Sequence, residues 1–136
     1  MRRKWKIIVT ALLIPIIGLI VTFRILESPS HILRHALQLE QLPSTISHLR
    51  MGSDVWTDEV RCFYFDIAPN DFPALLVGRR FRTIDIGGTF EARTIHVSPP
   101  VNFVARWRYL WETESAHCEI NTNEEKTRVI AVFAAH

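Results

Sequence analysis

His31 and His35 stand four residues apart. On a helix that spacing puts two imidazoles on one face, where they can hold a metal ion. Glu27 precedes His31 by another four residues and offers a third ligand. The glutamate of the zinc-protease pattern is missing, because Ile32, Leu33 and Arg34 fill the interval. The pair therefore reads as a solvated helix face, and no metal is expected. Cys62 with His48, or Cys118 beside His117, would be the thiol–imidazole pairs for nucleophilic chemistry. Neighbouring strand residues face opposite ways, so His117 is badly placed to activate Cys118. Asp54, Asp58, Glu59, Asp66 and Asp71 form an acidic stretch suited to acid–base work or calcium. The calcium-loop spacing and its central glycine are absent, so loops and a helix start account for most of these acids.

Phe103, Trp107, Tyr109 and Trp111 carry more binding character. On a strand, Trp107, Tyr109 and Trp111 would share one face, with Arg106 and Arg108 on the other. Aromatics with arginines are the usual material of binding hot spots. The same face can instead rest on a membrane interface or form the core side of its strand. Arg106, Trp107, Arg108, Tyr109 and Trp111 are the candidate contact surface. No catalytic residue and no cofactor is assigned. Gly87-Gly88 belongs to no phosphate-binding loop, and the nucleophile-elbow and dinucleotide patterns are absent. Arg79, Arg80 and Arg82 read as a solvated basic loop, as does Lys126.

The elements that must position these residues begin with an apolar run. Arg2, Arg3, Lys4 and Lys6 precede residues 7–23, a stretch without an ionisable side chain. Its length is near the minimum that spans a bilayer. Pro15 and Gly18 are tolerated in such a helix. Trp5 suits the interface, and Arg24 can snorkel and let Ile25 and Leu26 extend the buried length. The expected organisation is a cytoplasmic basic segment over 1–6, a transmembrane signal anchor over 7–26 and an extracytoplasmic domain over 27–136. The cationic bias keeps the N-terminus inside. A cleaved signal peptide is the alternative. Its usual apolar core is shorter, and no A-x-A follows. A buried soluble helix is disfavoured by the cationic flank. No cysteine follows the run closely, which excludes a lipoprotein anchor.

Five of the 16 basic residues and none of the 14 acidic ones precede residue 25, so the rest of the chain carries a net charge of −3. A net-acidic domain does not attract phosphate backbones, and no nucleic-acid partner is expected. The partners expected are the lipid bilayer and an envelope protein. Export would place Cys62 and Cys118 in an oxidising space, where they form either a disulfide or two buried thiols.

Apolar spacing predicts a helix over 32–42 ended by Pro43, and a strand over 46–51 followed by a turn at Gly52-Ser53-Asp54. A strand over 57–67 is apolar on both faces and belongs inside a sheet. Pro69-Asn70-Asp71 opens a second helix that ends at Gly78. Segments 82–86 and 90–97 flank Gly87-Gly88 as a hairpin. Strands follow over 105–112, 116–121 and 127–135, with a polar loop over 121–126. The fold class is α+β: an N-terminal transmembrane helix, then one small domain with an antiparallel sheet and about two helices on one face.

Leu42-Pro43-Ser44, the strand 60–67, Pro69-Asn70-Asp71-Phe72 and the late hairpin 119–133 resemble a pattern of small exported or membrane-anchored bacterial proteins of unknown function. The likeness covers about half of the exported part. It implies this fold and a place in the bacterial envelope, periplasmic for the domain, and carries no activity. The functional expectation is an anchored protein-interaction or binding module, whose tether raises its effective concentration at the membrane. The alternatives are an enzyme without a motif, using some of His48, Asp66, His96 and His117, and a structural or immunity-type membrane protein.

Overall fold

The computed structural model describes residues 13–24, 28–54 and 59–135. Helix α1 spans Leu13–Arg24. Its large apolar side chains, from Leu13 to Phe23, are 48–70 % exposed all around the helix. Thr22 Oγ1 donates to Gly18 O at 2.8 Å, so the hydroxyl is satisfied within the helix. Among the described residues no single helix is long and apolar enough to cross a membrane. Only α1 and the next helix together pass, bent by 54°. The basic segment, Trp5, Ile25, Leu26, Glu27 and Asp58 lie outside the described residues.

Helix α2, Pro29–Ala36, starts where Ser28 Oγ accepts the His31 N–H at 3.3 Å, with Pro29 in the first turn. It buries Leu33 and Ala36. The helix stops well before Pro43. Gln38 takes a left-handed conformation (φ 54°). The Gln38 and Leu39 amides then donate to His35 O and Arg34 O, both at 3.0 Å. This Schellman closure carries Leu39 into the core without further helix. The second expected helix is a single 3-10 turn, Phe72–Leu76.

Six strands follow: β1 Ser47–Asp54, β2 Glu59–Asp66, β3 Arg82–Thr94, β4 Val101–Glu112, β5 Ala116–Thr122 and β6 Arg128–Ala135. They form one antiparallel sheet in the order β1-β2-β6-β5-β4-β3. As expected, β2 is an interior strand. The sheet's first face buries Phe63, Phe65, Ile120 and Val129 against Leu33 and Leu37 of the α2 end and against Phe72 and Leu75. Both helical elements lie on this face, so the α+β expectation holds.

The second face has a core of its own, and two expected turns are displaced to make it. Gly87-Gly88 is a bulge inside β3 and not a hairpin turn. Asp85 pairs with Trp107 and Phe90 with Ala105, so four residues of β3 oppose Arg106 alone. Gly87 (φ 79°) and Gly88 (φ 68°) supply the left-handed backbone. Asp85 fixes the bulge, accepting from the Gly87 amide at 2.9 Å and from Arg106 at 3.0 Å. The true turn is the loop 95–100. Beyond the bulge the β3–β4 hairpin overruns the paired part of β5. Ala92, Val97, Val101, Phe103 and Ala105 fold back onto Tyr64 and Ile130. The hairpin tip lands on β1. Arg50 donates to Pro99 O at 3.0 Å, and the His96 carbonyl lies where a Cβ at Gly52 would stand. Gly52-Ser53-Asp54 is therefore strand and not turn.

Candidate functional site

Strand β4 places the candidate contact residues as their alternation requires. Trp107, Tyr109 and Trp111 face the first core, and Tyr109 is buried there. Each ring is covered from elsewhere in the chain. Phe72 meets Tyr109 with ring centroids 5.2 Å apart. The Lys126 ammonium lies 5.5 Å from the Trp107 ring. Arg79 lies 3.7 Å over Trp111. Arg106 and Arg108 are occupied as well. Arg106 pairs with Asp85, while Arg108 Nε donates to Asn121 Oδ1 at 3.1 Å and lies 3.3 Å from Glu119. The five residues share a strand without making one open surface.

Cys62 and Cys118 are both buried thiols. They face Val132 and Phe133 across opposite edges of β6, so a strand separates them and they point to opposite sheet faces. No disulfide joins them. Burial pushes the Cys118 thiol up to about 12, against the pull of nearby Arg79. At neutral pH it is a protonated, unreactive side chain. The acidic stretch disperses into separate contacts. Glu59 pairs with Arg61 at 2.8 Å, and Asp71 accepts from Thr45 at 2.7 Å. Among the described residues no group of three or more His, Cys, Asp and Glu could hold a metal ion.

Of His48, Asp66, His96 and His117, the fold brings two together. A one-residue bulge in β1 gives His48 a left-handed backbone (φ 53°) and sets its Nδ1 2.8 Å from Asp66. Tyr64 also donates to Asp66, at 2.7 Å. His48 borders a cavity of about 430 Å³ with Ser30, Leu42 and Ile46, and its side chain is 75 % exposed.

The residue set with the strongest site character lies under α2. A cleft of about 390 Å³ is lined by His31, Ile32, His35 and Ala36 of α2, with Gln38 at its end. Glu59 and Arg61 enter from β2, Phe133 from β6 and Arg79 from the segment after the 3-10 turn. Local structure dictates the position of Arg79. Gly78 packs against the Leu37 and Gln38 backbone so closely that a Cβ would not fit. The next residue is thereby delivered to the end of α2, where Arg79 Nε donates to Ala36 O at 2.7 Å. That bond satisfies one of the carbonyls a helix leaves open at its C-terminus. Trp111 at 3.7 Å and Phe133 at 5.6 Å flank the guanidinium. Among the described residues no carboxylate is within ion-pair distance of Arg79. Its partial burial lowers its pKa, yet an arginine stays cationic at any physiological pH.

The 31/35 spacing thus marks the α2 wall of the cleft. Arg79, expected as a solvated loop residue, was missed; its one local signal is Gly78 before it. Comparison with protein-family models, with curated proteins and with solved structures finds no match for this chain.

Proposed function

We propose that this chain is a membrane-tethered binding protein whose ligand site is the cleft beneath α2. The observation that carries the reading is the pairing of that cleft with α1, a helix apolar and exposed on every side. Such a helix is at home in lipid and costly in water. Its hydroxyl at Thr22 is already bonded within the helix. Helix α2 is committed to the domain core through Leu33, so the tether is residues 7–26 and the domain begins directly after it. Four residues separate Arg24 from Pro29, so the two are at most about 19 Å apart at 3.8 Å per Cα step. The start of α2, whose residues line the cleft, is therefore tethered close to the bilayer surface. The cationic N-terminus holds that end in the cytoplasm and puts residues 27–136 on the other side, periplasmic in a bacterial cell. An envelope protein or an envelope small molecule is the class of ligand within reach.

Fractionation tests the tether. The chain should pellet with membranes, resist sodium carbonate and dissolve in detergent, while Ile17→Arg with Ile20→Arg should release it. Carbonate extraction of the unaltered chain would refute the tether. Protease added outside spheroplasts should digest the domain; full protection would refute the orientation.

One observation favours a second reading. With Nδ1 on Asp66, His48 is left with Nε2 as a base beside a cavity, the arrangement of a hydrolytic dyad. That reading requires p-nitrophenyl butyrate hydrolysis that disappears in His48→Gln and falls at least tenfold in Asp66→Asn. Equal rates in all three proteins exclude it.

A further inference from the structure

We infer that the cleft beneath α2 recognises an oxyanion, a phosphate or carboxylate, carried on an apolar group, with Arg79 as its principal contact. This rests on reading the cleft as the ligand site, and not on the tether. The lining supplies two guanidinium groups and two imidazoles against one carboxylate, Glu59. Glu59 is already bonded to Arg61 at 2.8 Å. Arg79 has no such partner among the described residues. Its Nε is spent on Ala36 O, and one face is covered by Trp111. What remains is the edge bearing the two Nη groups, the fork that meets carboxylate or phosphate at two points.

Orientation and charge point to the same ligand. The contacts to Ala36 and Trp111 hold the guanidinium before anything binds, so little ordering is needed on arrival. A partly desolvated cation without a counterion gains from an entering anion. A cationic ligand would meet like charge. Ile32, Ala36 and Phe133 give the cleft an apolar wall, which suits an organic body over a bare ion. A cavity of about 390 Å³ is in the range of small-molecule sites. A lipid headgroup and a soluble organic phosphate present the same chemistry here, and both are within reach.

The test uses the 15N-labelled full chain in dodecyl maltoside micelles, following the Arg79 Nε–H and α2 amide signals. Phenyl phosphate is the soluble probe, phenyl glucoside its neutral counterpart, and phosphatidylglycerol doped into the micelles is the lipid probe. Saturable shifts are expected with phenyl phosphate, phosphatidylglycerol or both. Saturation by phosphatidylglycerol alone assigns a lipid ligand, and saturation by phenyl phosphate a soluble one. Affinity should fall at least tenfold in Arg79→Gln. It should fall several-fold in Gln38→Glu, an exposed, near-isosteric change at the cleft's lip whose folding is checked by circular dichroism. No saturable shift with either anion, or unchanged affinity in Gln38→Glu and in folded Arg79→Gln, overturns the proposal. Equal binding of phenyl glucoside at the same signals overturns the oxyanion while leaving the cleft a ligand site.

Discussion

Replacing Gly52 by alanine tests whether the second core is closed by the hairpin tip. Gly52 lies opposite Cys62, and an added methyl group would run into the His96 carbonyl. The Gly52 backbone is not left-handed, so alanine suits its conformation. By stiffening the unfolded chain, alanine alone would add about 0.4–1 kcal/mol of stability. Sterics oppose this. The obstructing atom is backbone, in a loop held by the Arg50–Pro99 bond and by Val97, which is 1 % exposed. Room for the methyl appears only if loop 95–100 lifts from β1. Lifting exposes Val97, worth about 1.5–3 kcal/mol. It also loosens one hydrogen bond, worth about 1 kcal/mol. After the entropy gain, the net loss is about 2–3 kcal/mol, which lowers the melting midpoint by about 8–12 °C for a domain of this size. Circular dichroism of the full chain in dodecyl maltoside measures it, with Ser53→Ala as the exposed neighbouring control. A Gly52→Ala midpoint within about 2 °C of the parent would refute the closure.

Asn123 organises the β5–β6 turn, its Oδ1 accepting the Thr127 and Arg128 amides at 2.9 and 3.0 Å. Asn123→Ala should lower stability by about 1–3 kcal/mol in urea titration, with unchanged m. Cys118 sets an alkaline limit. Its folded pKa of about 12 lies above its ordinary 9.0, so its contribution is complete below pH 9 and is lost as pH rises towards 12. Cys118→Ala should flatten that decline by up to about 1 kcal/mol per pH unit, and parallel profiles from pH 9 to 11 would contradict the burial. Arg79→Lys keeps a cation near the α2 carbonyls and should stay within about 1 kcal/mol of the parent in stability, yet lose phenyl phosphate affinity about tenfold. A large stability loss with unchanged affinity would make Arg79 purely structural.

Strand β2 was legible because it is apolar on both faces, and the reason is now visible: each face has its own core. Phe63 and Phe65 enter the first and Tyr64 the second. The Gly87-Gly88 pair was ambiguous in physical terms. Two glycines with left-handed backbone serve a hairpin turn and a wide bulge equally well. The outcome depends on whether the flanking segments pair with each other or with a third. Here both pair with β4, which runs unbroken beside them. The end of α2 failed to read for a similar reason. Leu33, Leu37 and Leu39 all reach the core, so the apolar pattern continues past the point where Gln38 turns the backbone over.

The candidate site was half legible, and the division follows contact range. Alternation along β4 and the four-residue spacing in α2 are local, and both placed their side chains correctly. What those side chains meet is non-local. Of the faces open to Trp111, contact surface, membrane interface or core side of its strand, the fold uses the core side, and there the ring holds Arg79, which reaches it from the far side of the first core. Arg79 in turn depends on a helix ending at Ala36 and on Gly78 slipping beneath that end. No pattern in residues 79–82 carries either condition, so a solvated basic loop and an oriented guanidinium share one local sequence. The aromatic-with-arginine signal named two arginines of β4 and left out the one that stacks on Trp111. Arg106 and Arg108 are neutralised by Asp85 and Glu119, whereas Arg79 reaches the same strand with its charge unspent.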